Sequence, residues 1–324
     1  MSFEMGSFIE LEYPNGKEYY KGDNVVRLNS GRTAIYHSIK SYNCKKVYLP
    51  IYQCETVKDF LIKKRIEIEF YTIDENFIPK MDTNEEDSCM IIVNYCGIFS
   101  TQYIKNIADK YKNVIIDNSQ AFFSKPLENC LNVYSARKFF GVPDGAYVVG
   151  KPYLYSDDMY EDDHSSDTSL FLMQRIEYGC EGKAYASRTL NEERIDNSDI
   201  KNMSKFTRYL LDGIDYENVK KKRIENFNVV RSMLKEKNIL DIDKYFDEDC
   251  VPMVYPFMIE NENLLDYLLE NKHFQGNWWR YILDITSKNS MEYRLSKYMI
   301  PLTIDQRYTA EDVKILCDKI LKFI

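Results

Sequence analysis

The chain has 324 residues and a net charge of −8, with 44% hydrophobic residues. That length suits a large domain with a smaller one beside it, and the apolar content suits a real core. The acidic balance argues against a nucleic acid or an anionic membrane as partner.

Eight cysteines, Cys44, Cys54, Cys89, Cys96, Cys130, Cys180, Cys250 and Cys317, show no C-x-x-C spacing. In a chain this long they read as reduced thiols of a cytoplasmic protein, not as a disulfide framework or a zinc site. The stretch MSFEMGSFIELE has no basic region of the signal-peptide kind. No apolar run approaches the ~18 residues of a membrane span.

Residues 1–23 read as an irregular arm. The apolar run Asn24–Leu28 leads into Asn29-Ser30-Gly31-Arg32-Thr33-Ala34 and a helical pattern through Ile35, Ile39 and Tyr42. Asn29 or Ser30 suits an N-cap, and Gly31 lets a ligand come close to the backbone. The free N–H groups of such a helix start suit a phosphate, although an ordinary capped helix accounts for the motif taken alone. Lys46–Pro50 is a short strand, and Thr56–Lys63 a helix with Val57, Phe60 and Leu61 on one face. Ile66–Ile73 alternates with period two, as a strand does. Cys89–Tyr95 is a continuous apolar run of the kind found in buried parallel strands. Tyr103–Tyr111 is helical, and Val114–Ile116 is a strand that ends at Asp117.

Val133-Tyr134 and Ala146–Val149 then flank a turn carrying Ser135, Arg137, Lys138, Gly141, Pro143, Asp144 and Gly145. A lysine on a tight loop between two strands, if desolvated, has a lowered pKa and becomes a nucleophile toward aldehydes. The competing reading is a solvated surface lysine. The alternation of strands and helices from 24 to 150 predicts an α/β fold. Its sheet is mostly parallel, built by right-handed crossovers and covered on both faces, a three-layer arrangement.

Beyond Gly150, Ser156–Asp167 holds six acids in twelve residues and reads as a solvated loop or lid, not a metal site. Thr168–Tyr185 and Asn202–Leu211 read as helices. Tyr216–Lys237 is a long helix with Val219, Ile224, Phe227, Val230 and Leu234 on one face. Val251–Ile259 and Met299–Thr303 read as strands. Leu264–Asn271 reads as a helix, and Thr309–Ile324 as a closing helix opened by a Thr-x-x-Asp signal. The expected division is 1–200 for the large domain and 201–324 for a helical bridge with a small C-terminal α/β domain. Phe171, Leu172, Ile176, Tyr178 and Tyr185 make the post-lysine segment apolar, suited either to a subunit interface or to packing on its own sheet.

Open parallel sheets bind ligands at the carboxyl ends of their strands. Four features are expected there: Ser30-Gly31-Arg32, Asn94-Tyr95, Asp117 with Gln120 three residues on, and Ser135-x-x-Lys138. A carboxylate at a strand end keeps its charge when it meets a cation, and Asp117 also suits an N-cap.

The ordered set Ser30-Gly31-Arg32, Asp117-x-x-Gln120-Ala121 and Ser135-x-x-Lys138 resembles the pyridoxal 5'-phosphate (PLP) enzymes of the aspartate-aminotransferase fold type. More closely it resembles the DegT/DnrJ sugar-aminotransferase family, with which Leu49-Pro50 and Pro301-Leu302-Thr303-Ile304-Asp305 are also similar. The resemblance implies a PLP-binding large domain, with Lys138 as the Schiff-base and proton-shuttling residue. Asp117 would pair with the pyridinium nitrogen, and Gln120 would bond the phenolic oxygen. The Gly31 and Arg32 backbone N–H groups and the Ser135 hydroxyl would hold the phosphate. Tyr52 and Tyr95 are the two candidates for the aromatic against the ring. It also implies a homodimer with the site at or near its interface.

Several positions depart from the family pattern. The turn after the lysine, Gly141 to Ala146, reads Gly-Val-Pro-Asp-Gly-Ala, so Asp144 stands near the family's Glu, and Ala146 replaces the second glycine. The phosphate serine lies three residues before the lysine instead of five, and Ile116 stands where Glu is common. The implied activity is a PLP-dependent aminotransferase using a small-molecule donor such as glutamate and a carbonyl acceptor, a sugar among the candidates. The alternatives are another PLP enzyme, a lyase or dehydratase, and a non-catalytic binding or regulatory protein on the same fold. A nucleotide-binding α/β protein is a distant fourth, since neither G-x-G-x-x-G nor G-x-x-x-x-G-K-[ST] occurs.

Overall fold

The structure, a computed structural model, describes residues 6–151 and 159–324. The first half runs β1 (Val25–Leu28), α1 (Gly31–Ser41), β2 (Lys46–Pro50), α2 (Glu55–Lys63), β3 (Glu67–Tyr71), β4 (Ser88–Val93), α3 (Thr101–Ala108), β5 (Val114–Asn118), β6 (Leu131–Ser135) and β7 (Ala146–Val149). These strands form one sheet in the order β1-β7-β6-β5-β4-β2-β3. The four pairings from β3 to β6 are parallel, and β6–β7 and β7–β1 are antiparallel. Two reversals restore the direction, so β1 runs with β6. The carboxyl ends of β1, β4, β5 and β6 therefore share one edge.

Every residue of β4, β5 and β6 is buried, which is why the stretches 89–93 and 114–116 read as continuous apolar runs. The alternating stretch at 66–73 is instead the sheet edge. Glu67 and Glu69 of β3 face solvent and Tyr71 is buried, and charges on an edge strand discourage pairing with other chains.

The second half holds α4 (Leu170–Tyr178), α5 (Lys183–Asn197), α6 (Lys205–Asp212), α7 (Tyr216–Leu234), β8 (Val254–Met258), α8 (Leu264–Glu270), α9 (Ile282–Ile285), α10 (Met291–Tyr298), β9 (Met299–Thr303) and α11 (Ala310–Phe323). The helix expected through Tyr185 breaks after Tyr178 and restarts at Lys183, so α4 and α5 form a hairpin. Strands β8 and β9 pair antiparallel, and α7 packs on β8 and α11. The Thr309–Asp312 capping box opens α11 as its sequence signal requires.

Of the acidic run, residues 159–167 fall within the described chain. Glu161 and Asp162 are exposed, but Asp163 is buried and takes Arg194 Nη1 of α5 at 2.8 Å. Its charge is neutralised by an arginine rather than by water, so the run is not solvated throughout. Among the described residues no helix is long and apolar enough to cross a membrane.

Candidate active site

The lysine turn is anchored by the residues around it. Ser135 ends β6, and Ala136–Lys138 makes one tight helical turn. Ala136, Phe139, Phe140 and Val142 are buried in an aromatic cluster with Phe122 and Tyr134, while Lys138 is exposed. The Phe139 carbonyl accepts from Gln306 Nε2 at 2.8 Å, and the Arg223 guanidinium sits 4.4 Å from the Phe139 ring centre. Burial lowers Arg223 to about 10. Asp144 faces away from the turn. Its carboxylate accepts from Ser204 N at 2.8 Å, Ser204 Oγ at 2.7 Å and Thr207 Oγ1, fastening the turn to the start of α6. Burial pushes the Asp144 carboxyl up. The lysine is thus held out from a rigid base and is not itself desolvated, unlike the expectation for a buried amine.

Lys138 opens into a cleft of about 240 Å³ at the carboxyl edge of the sheet. Ser30, Gly31, Arg32, Asp117, Gln120 and Ser135 line the same cleft. So six positions read from separate stretches of sequence meet Lys138 in one place. Asp117 is buried at the end of β5. Its Oδ1 accepts from Ser119 N at 2.9 Å and its Oδ2 from Gln53 Nε2 at 3.1 Å. Two fixed donors hold the carboxylate in one orientation, and two of its lone-pair positions stay free for a ligand. Gln120 Oε1 accepts from Cys96 N at 2.8 Å, which leaves its Nε2 as the donor available to the cleft. That contact depends on a tight 95–97 turn. Gly97 has φ of +72°, and a Cβ there would lie 2.6 Å from the Gln120 carbonyl oxygen, so no other residue fits.

At the start of α1 the first intrahelical bond is Ala34 N to Ser30 O at 3.0 Å. The Gly31 and Arg32 N–H groups therefore lack helical partners, and the first turn carries no acid. A Cβ on Gly31 would stand 3.1 Å from Ser119 Oγ and 3.9 Å from Ser135 Cβ. The glycine thus leaves a small cradle bounded by two serines and two open N–H groups. Beside it, Arg32 is 7% exposed and gives Nη1 to Asp196 of α5 at 2.7 Å. Its Nε and Nη2 are buried with no partner.

Tyr52 and Tyr95 are buried behind the cleft and do not line it. The Tyr95 hydroxyl donates to the Tyr52 carbonyl at 2.7 Å, and burial raises both phenols well above their ordinary value. The aromatic that does line the cleft is Trp279, packed edge-on against Tyr52 with ring centres 4.6 Å apart. Trp279 holds φ of +56°, a strained conformation for a bulky residue. Tyr281, two residues on, donates to the Gln53 carbonyl at 2.7 Å. Asn94 is likewise structural, giving its amide to Asn118 Oδ1 at 3.0 Å and Ser124 Oγ at 3.1 Å.

Sequence reasoning missed Gln53, Ser119, Trp279, Glu192 and Asp196 as lining residues. Glu192 and Asp196 lie four apart on α5, hence on one face, and meet Arg137 at 2.5 Å and Arg32 at 2.7 Å. Spacing of that kind was visible, but its partners are more than fifty residues away in the chain.

No family model matches the chain, and no curated protein matches it in sequence. Solved structures do match it in shape. An aminotransferase of the DegT DnrJ EryC1 StrS kind from Brucella abortus aligns with a TM-score of 0.63 at 13% identity, covering 92% of this chain and 85% of that one. NtdA from Bacillus subtilis with bound cofactor PMP gives 0.63 at 13%, covering 92% and 72%. S. venezuelae DesV in complex with a ketimine intermediate gives 0.57 at 12%, covering 92% and 84%. At such identities the likeness establishes the fold, the α/β architecture expected from the sequence.

Proposed function

We propose that this chain is a PLP-dependent aminotransferase that takes an amino group from a donor such as glutamate and passes it to a carbonyl acceptor. One observation carries the reading: Lys138, Asp117, Gln120, Ser135 and the open start of α1 line a single cleft. The residues fit the cofactor. Gln120 has a free donor, Asp117 has free lone pairs, and Gly31 leaves a cradle that a Cβ would crowd. PLP, when bound, supplies an aldehyde that exchanges with amines and a ring that withdraws electrons.

The chain's own groups then divide the work. Lys138 Nζ would hold the aldehyde carbon by condensation with loss of water, and would be the group placed to carry a proton to and from the substrate carbon. Asp117 would hold the proton on the ring nitrogen, and Gln120 Nε2 would donate to the phenolic oxygen. The Gly31 and Arg32 N–H groups and the Ser135 hydroxyl would hold the phosphate. Trp279, in place of Tyr52 or Tyr95, forms the aromatic wall.

The test is an absorption spectrum of the purified protein with added PLP. A near-visible band that shifts when glutamate is added supports the reading. Protein that stays colourless and takes up no PLP refutes it, and a band that never responds to any amino donor favours the non-catalytic alternative.

The partners belong to the same proposal. The α4–α5 hairpin leaves Leu170, Met173, Ile176, Tyr178, Tyr185 and Leu190 exposed, with Ile176 at 87%. A symmetric pair of chains buries such a patch on itself, so a homodimer is proposed. Light scattering that returns a 38.5 kDa monomer still reactive toward an amino donor would refute a shared site. Eight free cysteines support a reducing, cytoplasmic setting.

A further inference from the structure

We infer that the guanidinium of Arg32, and not only its backbone N–H, is an oxyanion receptor that makes the cleft selective for a phosphorylated ligand. The inference rests on the cofactor reading above for the identity of that ligand, but not for the existence of the site. Arg32 is more than nine-tenths buried and lines the cleft at the start of α1. Only Nη1 is spoken for, by Asp196. Nε and Nη2, the two nitrogens of the side-on edge of the guanidinium, are buried and unpartnered. An arginine presents its donors in a rigid planar fork that matches two oxygens of a phosphate or carboxylate. A buried charged donor without a partner is costly, so two such nitrogens on a residue that lines a cleft call for a partner there.

The surroundings favour phosphate. Gly31, Ser119 and Ser135 bound the adjoining cradle. The eleven-residue α1 adds two open N–H groups and the positive end of its dipole, with no acid in its first turn to compete. Asp196 is 51% exposed and touches Nη1 alone. It therefore orients the guanidinium from the solvent side without occupying the fork, which makes it a positioning residue. By this arrangement α5 is tied to whatever fills the fork.

The experiment compares PLP with pyridoxal, its phosphate-free analogue, and adds inorganic phosphate as a third probe. Binding of the two aldehydes is followed by absorbance and by borohydride reduction of the C=N bond to Lys138, read by mass spectrometry. Phosphate is followed by calorimetry. In Arg32→Met the affinity for PLP is expected to fall on the order of 100-fold or more while that for pyridoxal changes less than about threefold, the loss of two charge-assisted hydrogen bonds. Arg32→Lys, which keeps the charge but not the fork, is expected to recover part of the loss. Asp196→Asn, which leaves Arg32 in place, is expected to weaken PLP about threefold to tenfold with pyridoxal unchanged. Because pyridoxal attachment reports an intact cleft, a variant that fails to fold is recognised by losing both aldehydes, and the Asp196→Asn arm then decides the matter. A PLP-to-pyridoxal preference unaltered in Arg32→Met overturns the inference. Should neither aldehyde label wild-type Lys138 while inorganic phosphate binds wild type and not Arg32→Met, the receptor stands and the cofactor reading falls.

Discussion

Replacing Asp117 by Asn removes one charge from the centre of the cleft while leaving its hydrogen bonds largely intact. The carboxylate accepts from Ser119 N at 2.9 Å and Gln53 Nε2 at 3.1 Å. In the variant the amide oxygen keeps Ser119 N, and the new NH₂ faces Gln53. Gln53 Oε1 is buried without a partner, so a half-turn of that amide presents an acceptor to the new donor. The number of bonds is preserved, and each loses only its charge assistance, about 1 kcal/mol apiece. A neutral amide also costs less to bury than a carboxylate, which offsets part of the loss. The expected net destabilisation is about 1–2 kcal/mol, a fall in Tm of a few degrees. Function is expected to suffer far more. An amide cannot hold a proton on the ring nitrogen, so the half-reaction with an amino donor slows on the order of 100-fold or more, while the phosphate seat still binds PLP. The assay is stopped-flow absorbance at matched cofactor occupancy, alongside thermal unfolding of both proteins. Near-equal half-reaction rates would leave Asp117 with the structural role of holding Ser119 and Gln53 together, and the assignment would fail.

Lys138→Ala is expected to abolish borohydride-reducible attachment of PLP and to cost less than about 1 kcal/mol of stability, because the side chain is exposed; equal labelling of the two proteins would put the cofactor on another lysine. Gly31→Ala places a Cβ 3.1 Å from Ser119 Oγ at the first turn of α1, where Ser119 must shift slightly to admit it, so PLP affinity is expected to fall about tenfold with Tm little changed; lower stability with unchanged affinity would give Gly31 a packing role only. His37 is fully buried, with Nδ1 at 2.9 Å from the Tyr160 hydroxyl, and burial, aided by Lys40, lowers it to about 4. Above pH 6.5 the imidazole is neutral in both folded and unfolded chains and contributes no pH dependence. Below that, the unfolded chain takes the proton first, so stability is lost as pH falls toward 4, by about 2 kcal/mol at pH 5. Urea midpoints at pH 7.5 and 5 check this, and an acid loss of the same size in His37→Asn would assign it to other groups.

Much of the large sheet was legible because its signals are local. The runs at 89–93 and 114–116 are unbroken because β4 and β5 are buried on both faces. The place of Asp117 near a strand end follows from where the second run stops, and that of Ser135 from where Val133-Tyr134 stops. The edge position of β3 was not legible, since alternation describes any half-exposed strand. Nor were α9 and α10, short helices fixed by distant contacts, as where buried Glu292 of α10 accepts from Ile73 N at 2.6 Å. Tyr52 and Tyr95 were reasonable candidates for a ring wall by position alone. Their side chains turn inward because Tyr95 donates to the Tyr52 carbonyl and both rings join the core.

The chain by itself determined which residues end the strands and open α1, because hydrophobic period, capping and turn chemistry act over a few residues. It also determined that Lys138, Asp117, Gln120, Ser135 and Gly31 belong on one edge, since a parallel sheet aligns its strand ends. The tertiary structure alone decided what completes the cleft. Trp279 arrives from 227 residues beyond Tyr52, and Asp196 reaches Arg32 across a separation of 164. Those contacts depend on how α5 and the 277–281 segment pack over the sheet. No local pattern encodes such packing, because its stabilisation comes from area buried between distant elements rather than from neighbours in the chain.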